Sequence, residues 1–172
     1  MTPPATRYVV GIDLSTTRLD LVAVPLAPAP ITSAGVVRLD IPPERGPANP
    51  CARCIRLGVT LAESLATPGP PIDTVAIEEP FGPHRNTDRA LLPILGALSM
   101  ACHPLPVAWY APDAWRRILG ARGRHGQSKA GGHEAVRAHA PAAAEGLDEH
   151  ALDALGVALA HRRIIDVFDT GG

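Results

Sequence analysis

Acidic side chains end two apolar segments of the sequence and recur near its end. Asp13 closes the run YVVGID, Glu78 and Glu79 close DTVAIEE, and DEHALDALG places His150 three positions before Asp153. A buried, unpaired carboxylate costs several kcal/mol, so each acid needs a partner, a metal ion or an exit to solvent. Oxygen ligands with little nitrogen suit Mg²⁺ or Mn²⁺, and such a cluster can hold two ions about 4 Å apart for phosphoryl displacement. The pattern predicts phosphodiester hydrolysis.

Each strand-end acid also has a simpler interpretation. Asp13 could accept bonds from the backbone amides of Ser15 and Thr16 in a turn. Glu78 and Glu79 could both stand in water. Strand alternation puts these two glutamates on opposite faces, and parity alone leaves open which of them faces inward.

The acids at the start of the last helical segment have two different explanations. Asp148 lies at the N-cap, where a carboxylate accepts backbone amide bonds and favours the helix dipole, and Glu149 fits the same role. Capping does not explain Asp153, which lies one turn inside among apolar neighbours. Because His150 and Asp153 are three positions apart, they share a helix face.

The elements that must position these residues follow from periodicity. Three strand-like segments come first, and two more alternate with helices, which predicts a mixed five-stranded sheet whose first three strands are antiparallel and whose faces carry helices. In the first helix Ile55, Val59 and Ala62 recur at helical spacing, and Asn49 can cap it. The segment ARGRHGQSKAGG reads as a basic linker, and the last helix is expected from about Glu149 to Ile164.

Composition bounds the class of protein. The 172 residues fit a single domain over 1–172, and 46% hydrophobic residues exclude general disorder. No apolar run reaches the roughly 18 residues of a membrane helix, and the N-terminus lacks signal-peptide zones, which makes the cytoplasm the expected location. The net charge is −1, but one segment is basic and carries Arg116, Arg117, Arg122, Arg124 and Lys129.

The three cysteines are expected to be reduced. Their number is odd, which does not favour a disulfide framework. The spacing Cys51-x-x-Cys54 also fits half of a zinc site, which Cys102 and His103 could complete if the two helices meet. Small buried thiols are the preferred interpretation.

Five motifs together resemble the RuvC-type Holliday junction resolvases of the RNase H-like nuclease superfamily. They are VVGIDLS, VAIEEPF, WYAPDAWRRILG, GQSK and HALDALGVALAH, in family order. The resemblance implies an RNase H-like fold, with Asp13, Glu78 and Asp153 as metal-binding carboxylates, and so selects Glu78 over Glu79. The fourth position falls on His150, where the family uses Asp or His, and a histidine shifts the expected metal dependence from Mg²⁺ toward Mn²⁺.

The resemblance also implies contacts with DNA. Phe81 corresponds to the aromatic residue that stacks on opened bases, although it could equally be a core phenylalanine. Arg116 and Lys129 fall on basic positions near the scissile phosphate, and Arg117, Arg122 and Arg124 add phosphate contacts unless they are surface charges without a role. The expected activity is metal-dependent resolution of four-way DNA junctions by paired nicks. The expected partners are a second copy of the chain, through the helix starting near Asn86, and a branch-migration helicase.

Three other functions compete with this interpretation. GIDLSTT is similar to the phosphate-binding hairpin of sugar-kinase and actin-like ATPases, but those proteins need a second large domain to close on the nucleotide. A noncatalytic DNA-binding relative has no need for a negative cluster beside phosphates. A related nuclease of flapped, branched or RNA-containing DNA would share every site residue.

Overall fold

The computed structural model describes residues 6–14, 18–40, 50–67, 69, 71–79 and 85–170. The side chains of residues 50–54, 85–92, 125, 169 and 170 fall outside this description. The strands are β1 (Tyr8–Leu14), β2 (Arg18–Pro25), β3 (Gly35–Asp40), β4 (Ile72–Glu78) and β5 (Val107–Tyr110). The helices are α1 (Pro50–Ala66), α2 (Arg85–Cys102), α3 (Pro112–Ile118), α4 (Gly123–Gly126), α5 (Lys129–His139), α6 (Pro141–Ala144) and α7 (Glu149–Thr170).

The strands form one mixed sheet in the order β3-β2-β1-β4-β5. The first three strands pair antiparallel, whereas β4 joins β1 in parallel and β5 joins β4 in parallel. Parallel neighbours need a crossover, and α1 and α2 supply the two crossovers. The expected five-stranded mixed sheet with three antiparallel leading strands is confirmed.

Two apolar layers cover the two faces of this sheet. On one face α7 packs with α3, α5 and α6 over Val9, Val22 and Ala76. On the other face α1 and α2 pack over Val10 and Ile12 of β1 and over Val75 and Ile77 of β4. Side chains alternate between the faces along β1, so the position after Ile12 points toward α7.

The last helix lies unusually close to the first strand. A Cβ on Gly11 would overlap the carbonyl oxygen of Ala154 and lie 2.8 Å from Cβ of Ala158. Glycine at this position therefore lets the backbone of α7 rest against β1. Ten consecutive α7 residues, 151–160, are buried, so helix and strand together form the centre of the molecule.

Several element boundaries differ from the expected ones. The expected linker after α3 is partly helical, because Ser128 accepts a bond from the amide of Gly131 and so caps α5 at Lys129. The last helix extends past Ile164 to Thr170. A proline inside a sequence segment predicts a kinked or interrupted helix, but α2 runs from Arg85 to Cys102 with Pro93 inside it. Asn49, the expected cap of α1, lies outside the described residues.

The buried side of α1 is not the one that its apolar spacing indicated. Ile55 and Val59 are exposed, while Leu57 and Leu61 are buried in the core. The helix carries two apolar rows, and the row through Leu57 faces the sheet. Over the described part of the chain, no helix combines the length and apolar character of a bilayer crossing.

Candidate active site

Two of the candidate carboxylates come from neighbouring strands and point the same way. In the parallel pairing of β1 and β4, Gly11 is opposite Ala76 and Ile12 is opposite Ile77. The next positions are Asp13 and Glu78, and alternation turns both toward α7. The strand register therefore puts Glu78, and not Glu79, on the face of Asp13.

The first turn of α7 brings a histidine to this place. His150 Nδ1 lies 2.6 Å from Oδ2 of Asp13. An ionised carboxylate can only accept, so the imidazole donates through Nδ1, and its Nε2 takes no part in this bond. A histidine that donates one N–H to a carboxylate and keeps the other nitrogen as a ligand is the usual arrangement at metal sites.

Asp153, one turn further along α7, is buried between two basic side chains. Oδ1 is 2.9 Å from Nε2 of His133, and Oδ2 is 3.1 Å from Nζ of Lys129. His133 was not among the residues that the sequence suggested. It follows Lys129 by four positions in α5, a spacing that puts both on one helix face and could have indicated a shared target.

Glu78 is held by an indole. Nε1 of Trp115 in α3 donates to Oε2 of Glu78 over 2.9 Å. Burial, with the charges of Asp153 and then Asp13, raises the pKa of Glu78 to about 8, although the Trp115 bond and the charge of Arg116 act against the rise. Burial likewise raises the pKa of Asp13, with a further contribution from Asp153 and opposition from His150 and Lys129.

These shifts show that three carboxylates stand within electrostatic reach of one another. Such a cluster of like charges, largely removed from water, fits a hard divalent cation in the type of its donors. In the conformation shown, each carboxylate is engaged by a protein donor instead, and no three acid, histidine or cysteine side chains of the described residues stand at metal-holding distances from one another. The donor set nevertheless fits a divalent cation by its chemistry.

Asp148 is both a helix cap and part of an ion-pair cluster. Its Oδ1 accepts from the amide of Ala151, which confirms the expected cap. Nη2 of Arg18 contacts both of its oxygens at 2.9 Å, and Arg38 also pairs with it. Both arginines reach the fully buried Asp20 on β2 as well. Although burial opposes it, the Ala151 and Arg18 bonds hold the pKa of Asp148 below its usual value.

Glu149 lies in the first turn of α7, as expected, and has a second role. Its carboxylate pairs with Nζ of Lys129 at 2.9 Å, so Lys129 bridges Glu149 and Asp153. The ammonium group therefore stands beside Asp153, and the phosphate contact expected of Lys129 stays a prediction. Burial works against this charge, but the Glu149 and Asp153 contacts raise the pKa of Lys129 and keep it protonated.

The other predicted DNA-binding residues differ in their burial and in their partners. Arg116 is half-buried, donates through Nη1 to the Gln127 carbonyl, and covers the Trp115 ring at 5.1 Å from its centroid. Arg117 pairs with Asp113 on the exposed side of α3. Arg122 and Arg124 are exposed between α3 and α5. Phe81 lies outside the described residues, so its predicted stacking role stays a prediction.

Cys102, the cysteine whose side chain the structure describes, lies on the sheet face opposite α7. Cys102 is buried in the core between α1, α2 and the sheet, and burial raises the pKa of its thiol to about 11. The neighbouring His103 is exposed. The Cys51 and Cys54 side chains lie outside the description, so a zinc pair there stays a hypothesis.

Comparisons with known proteins identify the fold. No family model matches the sequence, and no curated protein sequence matches it either. A structure of RuvC from Thermus thermophilus is 24% identical, covers 94% of this chain and 96% of its own, and superposes with a TM-score of 0.73. A second, T. thermophilus RuvC in complex with a Holliday junction substrate, is 24% identical, covers 93% and 96%, and gives a TM-score of 0.69. The chain therefore has the RNase H-like fold of RuvC over nearly its whole length, as its five motifs implied.

Proposed function

We propose that this protein is a metal-dependent endodeoxyribonuclease that resolves four-way DNA junctions by paired symmetric nicks. The observation that carries the proposal is that Asp13 and Glu78 end neighbouring parallel strands on the sheet face covered by α7, whose first turns carry His150 and Asp153, on the fold of RuvC. One of the two RuvC structures holds a Holliday junction substrate. A cluster of buried carboxylates gains nothing beside DNA phosphates unless cations join them.

The ligands of the cation would be Asp13, Glu78, Asp153 and Nε2 of His150. A bound Mg²⁺ or Mn²⁺ supplies Lewis-acid stabilisation of the phosphate charge and a water of lowered pKa. The protein's own part is to hold the four donors on rigid elements, two strand ends and one helix turn. Because one donor is an imidazole, the site is less negative than four carboxylates would be, which favours Mn²⁺ relative to Mg²⁺.

Basic side chains beside the carboxylates would hold the DNA backbone. Lys129 is already within 3.1 Å of Asp153, so its ammonium group could contact a phosphate brought to the site. Arg122 and Arg124 are exposed further along the same segment, and with Arg116, Arg117 and Phe81 they make up the proposed DNA contacts. Phosphate contacts position the substrate without reading its sequence.

Paired nicks require two copies of the site, so we infer a homodimer. The exposed apolar side chains Ile55 and Val59 on α1 and Met100 on α2 are of the kind that dimers bury. They lie on the sheet face opposite α7, which leaves the carboxylate cluster open to DNA. A helicase that moves the branch point is a further proposed partner, since cleavage at a mobile junction depends on its position.

The test is cleavage of a labelled mobile four-way junction by the full chain. Flap, duplex and RNA–DNA hybrid substrates of the same sequence serve as controls, each in Mg²⁺ and in Mn²⁺. Two symmetric nicks on the junction are expected, and Asp13→Asn should abolish them. Cutting of flaps or hybrids in preference to junctions would assign a different substrate to the same site, and cutting that survives Asp13→Asn would refute the site.

A further inference from the structure

Trp115 is a fully buried residue that contacts Glu78 through a donor that cannot change its charge. Its side chain is 0% exposed, and its indole N–H is a donor only. A buried donor without an acceptor would cost about 1–3 kcal/mol, and Glu78 supplies the acceptor. Lys129 and His150, by contrast, are partly exposed and carry or can carry charge.

The same ring also packs against the helix that carries the rest of the site. A Cβ on Gly156 would lie 2.6 Å from Cζ3 of Trp115 and 2.9 Å from Cη2. Gly156 follows Asp153 by three positions and therefore shares its helix face. Trp115 thus contacts α7 through its ring and the end of β4 through its N–H. It therefore packs between the helix that carries Asp153 and the strand that carries Glu78.

We propose that Trp115 is a positioning residue of the cation site: its indole N–H holds Oε2 of Glu78 and so fixes the carboxylate that would bind the cation. The proposal rests on the proposed function, since it concerns how the same site is arranged. Groups that orient the ligands of a metal ion typically alter its affinity by 10–100-fold when they are removed.

Trp109 offers a matched control. The chain has two tryptophans, and Trp109 packs on the opposite face of the sheet against the α1 and α2 layer. Trp115→Phe keeps an aromatic ring but removes the N–H. Trp109→Phe makes the same chemical change away from the site and leaves Trp115 as the single tryptophan.

The first experiment titrates the full chain, without DNA, with Mn²⁺ and Mg²⁺ by calorimetry. Trp115→Phe should remain folded by circular dichroism and bind the cation about 10–100-fold more weakly, while Trp109→Phe binds as the unchanged protein does. Equal affinity in folded Trp115→Phe would overturn the proposal, as would the same loss in Trp109→Phe.

A second experiment needs no change at Trp115 and so covers the case in which Trp115→Phe fails to fold. In the Trp109→Phe protein, the emission of Trp115 should change on adding Mn²⁺ or Mg²⁺, with the midpoint found by calorimetry, and Glu78→Gln should remove the change. An emission that stays constant at saturating cation refutes the proposal. If the unchanged protein binds no divalent cation, the proposed function fails too, whereas normal binding and cleavage by Trp115→Phe would leave that function standing and refute the positioning role alone.

Discussion

The Nδ1 atom of His150 lies 2.6 Å from Oδ2 of Asp13, although 137 positions separate them in the sequence. The contact joins the start of α7 to the end of β1 and uses Nδ1 only, so Nε2 is not engaged by Asp13. The histidine is thus oriented by one member of the cluster so that its other nitrogen is available to a cation. Its role differs from that of Asp148, two positions earlier, which caps the helix and pairs with arginines.

Changing His150 should separate ligand chemistry from packing. His150→Ala removes both the donor to Asp13 and the ring nitrogen, and we expect junction cleavage to fall by about 100-fold or more. His150→Asp should retain cleavage and shift the preference toward Mg²⁺, because a carboxylate is a harder ligand than an imidazole. Rates measured in both metals check this.

The thermal stability of the same variants tests the role of His150 independently of cleavage. Without a cation, His150→Asp places a further negative charge beside Asp13 and should lower Tm in EDTA, and Mg²⁺ should restore it. His150→Ala should show no such restoration beyond that of the unchanged protein. Full cleavage by His150→Ala would refute the assignment of this residue.

The sequence predicts the site residues whose positions depend on a single strand or helix, but not the contacts between elements. Strand ends and helix spacing were enough to place Asp13, His150 and Asp153, since each depends on its own element. Choosing Glu78 over Glu79 needed either the family resemblance or the register of β4 against β1, because alternation says only that the two point apart. Trp115 donates across two elements, and Arg18 and Arg38 meet Asp148 through the β2–β3 pairing, so neither contact has a local signal. The His133 contact did have a local signal, the spacing of His133 from Lys129, but the glycines between these two residues indicated a linker.

Replacing Asp148 should affect stability more than cleavage. Asp148→Asn keeps an N-cap acceptor but loses the charge that pairs with Arg18 and Arg38, and since Asp148 is 42% exposed we expect a loss of only about 1 kcal/mol. Asp148→Ala also loses the cap and should cost about 2 kcal/mol. Urea unfolding measures both.

Asp113→Asn is the control, because the Asp113–Arg117 pair is an exposed contact within one helix and should contribute less than about 0.5 kcal/mol. Asp148→Asn should cut junctions nearly as well as the unchanged protein. If it abolishes cleavage while His150→Ala does not, the division of roles at the start of α7 is wrong.

Gly11→Ala should be far more damaging than its size suggests. The added Cβ would overlap the Ala154 carbonyl and crowd Ala158 at 2.8 Å, and both contacts involve a buried helix that cannot yield without moving away from β1. We expect a loss of about 3 kcal/mol or more in the free energy of unfolding. Moving α7 also separates Asp153 from Asp13, so cation affinity should fall in whatever protein still folds.

Gly35→Ala is the matched substitution, since a Cβ there meets only Cβ of Ala23 at 4.0 Å. Its effect should stay within about 1 kcal/mol, and it can be stabilising because alanine restricts the unfolded chain. Similar losses for Gly11→Ala and Gly35→Ala would show that the close approach of α7 to β1 is not needed for stability.

Cation binding should depend on pH through Glu78. Burial and the neighbouring acids raise its pKa from 4.5 to about 8 in the cation-free fold, so below pH 8 a proton must leave before the carboxylate can bind a cation. Affinity for Mg²⁺ should therefore increase with pH, by up to about tenfold per pH unit, and level off above about 8. Calorimetry in buffers of different ionisation enthalpy should detect the released proton, and Glu78→Gln should abolish the release.

The raised pKa of Glu78 also determines how the stability of the cation-free protein changes with pH. Because the folded protein binds the Glu78 proton more tightly than the unfolded chain does, this group stabilises the fold at low pH, and that contribution is lost as pH rises through about 8. In EDTA the Tm should fall between pH 5.5 and 8.5, more steeply in the unchanged protein than in Glu78→Gln. Glu79→Gln, on the opposite face of the strand, should keep the steeper fall, and a loss of slope there would mean that Glu79 is the acid of the cluster.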